Sequence, residues 1–147
     1  MTRHEIRKFL ASGVNALTVS TEFGSGRLSE FNSERSHDYP SVWWNSILGD
    51  SADLNTMLTP QDKIPIELHI AQKDTMDSTA EQYEKIIDTA HRIAQRLVFA
   101  YSQILSGNKL INLTGIKRAP FVKQHADVLS GIILTFTIVV PDLTNEC

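Results

Sequence analysis

A chain of 147 residues with 41% apolar and 21% charged side chains is sized for one domain and is too hydrophobic for a disordered tail. One cysteine (Cys147), five histidines and a net charge of -3 from 14 basic and 17 acidic residues leave no disulfide framework, no clustered metal site and no nucleic-acid binder by net charge. The longest apolar run, residues 132–140, is interrupted by Thr135 and Thr137 and is too short for a membrane-spanning helix; the charged opening (Arg3, Glu5, Arg7, Lys8) does not read as a secretory leader, so a cytoplasmic chain is expected.

The first segment places Ile6, Phe9, Leu10, Gly13, Val14 and Leu17 at three- and four-residue steps, with Arg3, Arg7 and Lys8 elsewhere on the wheel. This predicts an amphipathic helix starting near Thr2, where Thr2 and Glu5 have the spacing of a capping box. From residue 19 to 48 the helical period vanishes, and Gly24, Gly26, Asn32 and Pro40 punctuate short stretches rich in aromatic and β-branched residues. The expected strands are 26–32 and 41–47, joined by a polar connection, with 23–26 as a hairpin turn. Trp43 and Trp44 are adjacent, so in a strand their indoles point to opposite faces and both faces need cover.

Residues 49–63 are polar and weakly periodic and are expected to be a long loop with one helical turn. Next, Ile64, Ile66, Leu68 and Ile70 alternate with Pro65, Glu67, His69 and Ala71, which predicts a half-buried strand, with Pro65 marking an edge or a strand start. Tyr83, Ile86, Ile87, Ala90, Ile93, Ala94, Leu97, Tyr101, Ile104 and Leu105 then form one stripe of a long helix. Ser78 and Glu81 fit a capping box at its start, and Gly107 supplies a stop. Extended segments follow, ending in a strand from 132 to 140 that is apolar on both faces and closed by Pro141. The fold class this implies is α+β: an N-terminal helix, a mainly antiparallel sheet with one long helix packed on it, and a C-terminal β-hairpin.

No nucleophile elbow, zinc-protease helix, phosphate loop or dinucleotide fingerprint occurs. Ser36, His37 and Asp38 are consecutive, and adjacent residues do not aim at one another as a triad must, so turn chemistry before Pro40 is the expectation. Glu67 and His69 share one face of a strand and are expected to be solvated side chains; His91 is expected at the surface, and Cys147 unreactive. No catalytic, cofactor-binding or metal-ligating residue is assigned, and no enzymatic activity is expected. Charge, by contrast, is segregated. No acidic residue lies between Asp88 and Asp127, where Arg92, Arg96, Lys109, Lys117, Arg118 and Lys123 fall, and 14 of the 17 acids precede residue 89.

The landmarks in order are the N-terminal helix over 5–17, the FGSGRLSEF stretch at 23–31, the Tyr39-Pro40-Ser41-Val42 lead-in to an aromatic strand, IPIELHI at 64–70 running into the long helix, and the closing SGIILTFTIVVPD at 130–142. Together they resemble the phage tail terminator family, the neck proteins related to the lambda tail terminator. The resemblance implies a virion protein assembled in the bacterial host cytoplasm, a ring of six or twelve copies that ends the tail tube. Its partners would be the tail tube protein and the head connector or portal-associated proteins, with non-specific contact to packaged DNA. Residues 49–63 depart from the shorter loop of the family's smaller members, which leaves another connector or baseplate ring as an alternative. Trp43, Trp44, Lys117, Arg118 and Lys123, the last three on an expected hairpin over 116–131, are the candidates for the subunit interface or the channel wall. The rival readings are an α+β domain that binds a small ligand near Trp43, Trp44 and His69, and a single-stranded nucleic-acid binder that stacks bases on exposed Trp43, Trp44 and Tyr39 with Arg118 and Lys123 on the phosphates.

Overall fold

The amphipathic spacing at the start of the chain forms helix α1 (Arg3–Asn15), which buries Ile6, Phe9, Leu10, Gly13 and Val14 and leaves Arg3, Arg7 and Lys8 exposed. The computed structural model describes residues 3–17, 22–26, 40–46, 51–53, 61–74, 76–106, 112–124 and 129–141, so Thr2, half of the first capping box, lies outside them. The strands are β1 (Glu22–Gly26), β2 (Ser41–Asn45), β3 (Ser51–Asp53), β4 (Gln61–Lys73), β5 (Asn112–Gln124) and β6 (Leu129–Pro141), with helix α2 (Ala80–Leu105) between β4 and β5. They form one six-stranded sheet in the order β1-β2-β4-β6-β5, with β3 also paired to β4. All pairings are antiparallel except β1 with β2. The α+β architecture expected from the sequence is the one observed.

Both helices lie on the same face of the sheet. Every second residue of β4 (Ile64, Ile66, Leu68, Ile70) and of β6 (Ile132, Leu134, Phe136, Ile138) is buried there against Leu10, Ile93, Leu97 and Tyr101. Burial of these side chains drives the docking, at roughly 1.5–3 kcal/mol for each large aliphatic group taken out of water. The closest helix–helix joint is polar at its tip: the Tyr101 hydroxyl donates to the Leu10 carbonyl at 2.9 Å, with its ring 4.8 Å from Phe9 and 5.8 Å from Phe136. Of the residues in the α2 stripe Ile104 is exposed, while Leu105 beside it packs against the core. Its N-terminal box is one residue later than expected: Thr79 is the N-cap and donates its backbone N–H to Gln82 Oε1 at 2.9 Å. The C-cap is Ser106, and Gly107 lies outside the described residues.

Three expectations about the sheet need correction. Residues 23–26 are strand rather than hairpin turn, and it is β1 that pairs with β2, in parallel, while the strand expected over 26–32 lies beyond Gly26 outside the described residues. The physical reason is Gly24, paired with Trp43: a Cβ on Gly24 would stand 2.6 Å from the Trp43 ring, so the missing side chain is the space the indole fills. Gly24→Ala is therefore expected to displace Trp43 and lower the denaturant midpoint by about 1–3 kcal/mol in unfolding free energy, with a change in tryptophan fluorescence. Residues 49–63 are not loop throughout, because Ser51–Asp53 pairs with the first three residues of β4. Pro65 lies in a central strand, yet the expectation of an edge holds locally: β3 pairs with β4 only as far as Lys63 and β2 only from Leu68, and Pro65 falls in the gap between them.

The expected hairpin over 116–131 is the inner part of the β5–β6 hairpin. Gly115, at φ 63, sits in an irregularity where Thr114 pairs with Thr137 and Lys117 with Thr135, so β5 carries one extra residue. A glycine in the left-handed region is the usual first residue of such a bulge.

Candidate functional site

The sheet face away from the helices is where the sequence's polar strand residues gather. Trp43 is 4% and Trp44 is 2% exposed, on opposite faces of β2. Trp44 enters the main core, while Trp43 packs with Ala71, Phe121 and Leu129, and its indole N–H donates to the Gly26 carbonyl at 3.3 Å. Each indole thus finds cover inside the chain. A side chain already out of water has little left to gain from a neighbouring subunit, so neither indole needs one for cover.

Glu67 and His69 are not the solvated pair the alternation suggested. His69 is 4% exposed, its Nε2 is 3.1 Å from Glu67 Oε2, and the same oxygen accepts from Asn45 Nδ2 at 2.8 Å. The His69 ring also tilts against Phe121, 6.0 Å between centroids. These bonds continue side chain to side chain the β2–β4 ladder, whose backbone pairing ends at Trp44 and Leu68. Burial alone would raise the Glu67 carboxyl pKa; the hydrogen bonds from Asn45 and His69 and the charge on His69 outweigh it and hold the carboxyl below the usual glutamate value. A depressed carboxylate contributes stability above its unfolded pKa and loses it as pH falls through the folded one. Acid unfolding below about pH 4.5 is therefore expected to be shallower in Glu67→Gln than in the wild type, measured by denaturant midpoints across that range.

The pair gathers no third ligand: among the described residues no group of three or more His, Cys, Asp or Glu side chains stands close enough to hold a metal ion. A second buried polar contact, Ser130 Oγ to Asp74 Oδ2 at 2.6 Å, ties the start of β6 to the end of β4. His91 is half-buried on α2. Ser36, His37, Asp38 and Cys147 lie outside the described residues.

The basic candidates fall together on β5, the outermost strand of the sheet. Lys117 pairs with Thr135 and points to the face away from the helices; Arg118 pairs with Leu134 and points to the helix side, yet both are exposed. Lys123 lies further along the same strand. From residue 112 to 122 only Phe121 is buried and Leu113 half-buried, so neither face of β5 is covered along most of its length, and Ile116 is 44% exposed. Sequence reasoning missed this exposed apolar component. It also missed Phe99, 67% exposed beside a groove of about 450 Å³ between the end of α1 and α2, lined by Leu17, Arg96, Ala100 and Ile104. Phe99 lies off the α2 stripe, and that position on the wheel was the signal available.

No protein-family model matches this chain, and no curated protein is similar enough to count as a relative. No helix among the described residues is long and apolar enough to cross a membrane.

Proposed function

We propose that this chain is a structural subunit of a tailed phage, one copy in a ring of the neck that ends the tail tube and joins it to the head connector. The observation that carries the reading is β5: a long basic strand at the rim of the sheet, uncovered on both faces along most of its length, with apolar Ile116 and Val122 exposed beside its charges. An exposed strand of mixed apolar and cationic character is what a subunit surface looks like before its neighbour arrives. The element order supports the same reading, since the N-terminal helix, the strand leading into the long helix and the closing hairpin follow the landmarks of the tail terminator resemblance. A connector or baseplate ring would share these features.

The rival reading as a single-stranded nucleic-acid binder needs aromatic rings free to stack on bases. Trp43 and Trp44, two of the three rings it would use, are inside the chain, and Tyr39 lies outside the described residues. Measuring the mass of the purified protein in solution, followed by negative-stain micrographs, tests the proposal. A closed ring of six or twelve copies is expected. A stable monomer that binds oligonucleotides or a metabolite tightly would overturn it.

A further inference from the structure

We infer that the neighbour of β5 in such a ring is the outer face of α2 from the next copy, held in register by opposite charge. This rests on the ring reading above and names its contact.

The first step concerns what kind of element can sit on β5. An open strand edge invites another strand, but this one carries a bulge at Gly115, a proline at 120 and the cations Lys117 and Arg118. These are the devices by which natural sheets block strand addition. The occupant is therefore a surface that packs on the side chains of β5 rather than on its backbone, and a helix face supplies one.

The second step concerns the charge of that face. Among the described residues the side chains of Lys117 and Arg118 make no ion pair or hydrogen bond, and no acidic residue occurs between Asp88 and Asp127 to neutralise them locally in sequence. Among the described residues, the outer face of α2 carries three acids in its first half, with Lys85 and Arg92 exposed beside them. Glu81, Glu84 and Asp88 are exposed at i, i+3 and i+7 on α2 and so lie along one stripe, about 10 Å long. Their one recorded ion pair is the loose, solvent-exposed contact of Glu81 with Lys85 at 3.9 Å. The stripe lies opposite the buried side of α2 formed by Ala90, Ile93, Ala94 and Leu97, so it faces away from the sheet to which its own β5 belongs. Within one chain the two surfaces cannot meet. Between copies they can, head to tail, and a heterologous contact of this kind closes into a ring when its rotation permits. The exposed apolar groups on β5, Ile116 and Val122, supply area to bury; the charges supply orientation, which is the usual division of labour at such contacts.

The test is a charge swap read by solution mass. Reversing one surface (Lys117→Glu with Arg118→Glu) or the other (Glu81→Lys with Glu84→Lys) is expected to remove the ring and leave monomer, and a chain carrying all four substitutions is expected to reassemble. The glutamine versions of each pair, gentler at the fold, should weaken assembly in the same direction, and circular dichroism checks that each variant is folded. A wild-type ring that survives both reversals overturns this contact and leaves the ring reading standing. Single reversals that dissociate the ring without rescue in the combined chain overturn the pairing of these two surfaces. A wild-type protein that is monomeric overturns the ring reading and the contact with it.

Discussion

Gly131→Ala is expected to lower the unfolding free energy by at least about 3 kcal/mol, and Gly131→Val to prevent folding. Gly131 pairs with Ala71 in the long β4–β6 ladder, and a Cβ at this position would lie 1.9 Å from the Ile70 carbonyl oxygen and 3.1 Å from the Ala71 Cα. Those atoms are backbone in a central strand, fixed by pairing on both sides, so they cannot swing away as a flexible side chain would. The strands must part locally, which loosens Ile132 and Ser130, and with Ser130 its hydrogen bond to buried Asp74. Gly115→Ala is the control. A Cβ there meets nothing within 4 Å, so the cost is only that of a left-handed backbone, about 1–2 kcal/mol. Urea titrations of the two variants side by side separate collision from conformational preference. Equal losses would mean that the close approach at Gly131 is not what constrains it.

The elements that were legible in the sequence are those whose period is set by one buried face. Alternation in β4 and the helical stripes of α1 and α2 record directly which residues face the core, and Ile6, Leu10, Leu68, Ile93 and Leu97 are where that reasoning puts them. The strand β1 was not legible because its signal is inverted: Gly24 and Gly26 read as a turn, whereas Gly24 is strand backbone under the Trp43 indole. Each residue's parallel partner lies nineteen residues along the chain, and no local pattern encodes a pairing of that range. The β5 bulge hid the facing of its side chains for a related reason. One extra residue resets the alternation, so Thr114 and Lys117 share a face although they are three apart. Of the candidate surface, the cations were visible as a gap in the acids, and the indoles were placed correctly on opposite faces. What no sequence pattern reports is cover: Trp43 and Trp44 are enclosed by their own chain, while Ile116 and Phe99 are not.

The joint between the helices depends on a second close approach, and here the expected result runs against helix propensity. Gly13 lies inside α1, where replacing glycine by alanine in an open helix is worth about 1 kcal/mol in favour of the alanine. Gly13→Ala is nevertheless expected to destabilise by about 1–2 kcal/mol net, because the new Cβ would stand 2.1 Å from Tyr101 Cε1. The ring cannot yield: it is fully buried between Phe9 and Phe136, and its hydroxyl is held by the Leu10 carbonyl on the same helix. Burial also pushes the phenol pKa far above its ordinary value, so the donor proton is kept throughout the accessible pH range. Tyr101→Phe keeps the ring in place and removes only the hydroxyl, at a cost of about 1 kcal/mol, and Gly13→Ala should remain harmful in that background. In a Tyr101→Leu background the obstructing ring is gone, and the same substitution should turn neutral or stabilising as propensity takes over. A double-mutant cycle of denaturant midpoints reads this sign change. If Gly13→Ala stabilises the wild-type chain, the contact with Tyr101 does not hold α1 at this distance, and the docking of α1 rests on Ile6, Phe9, Leu10 and Val14.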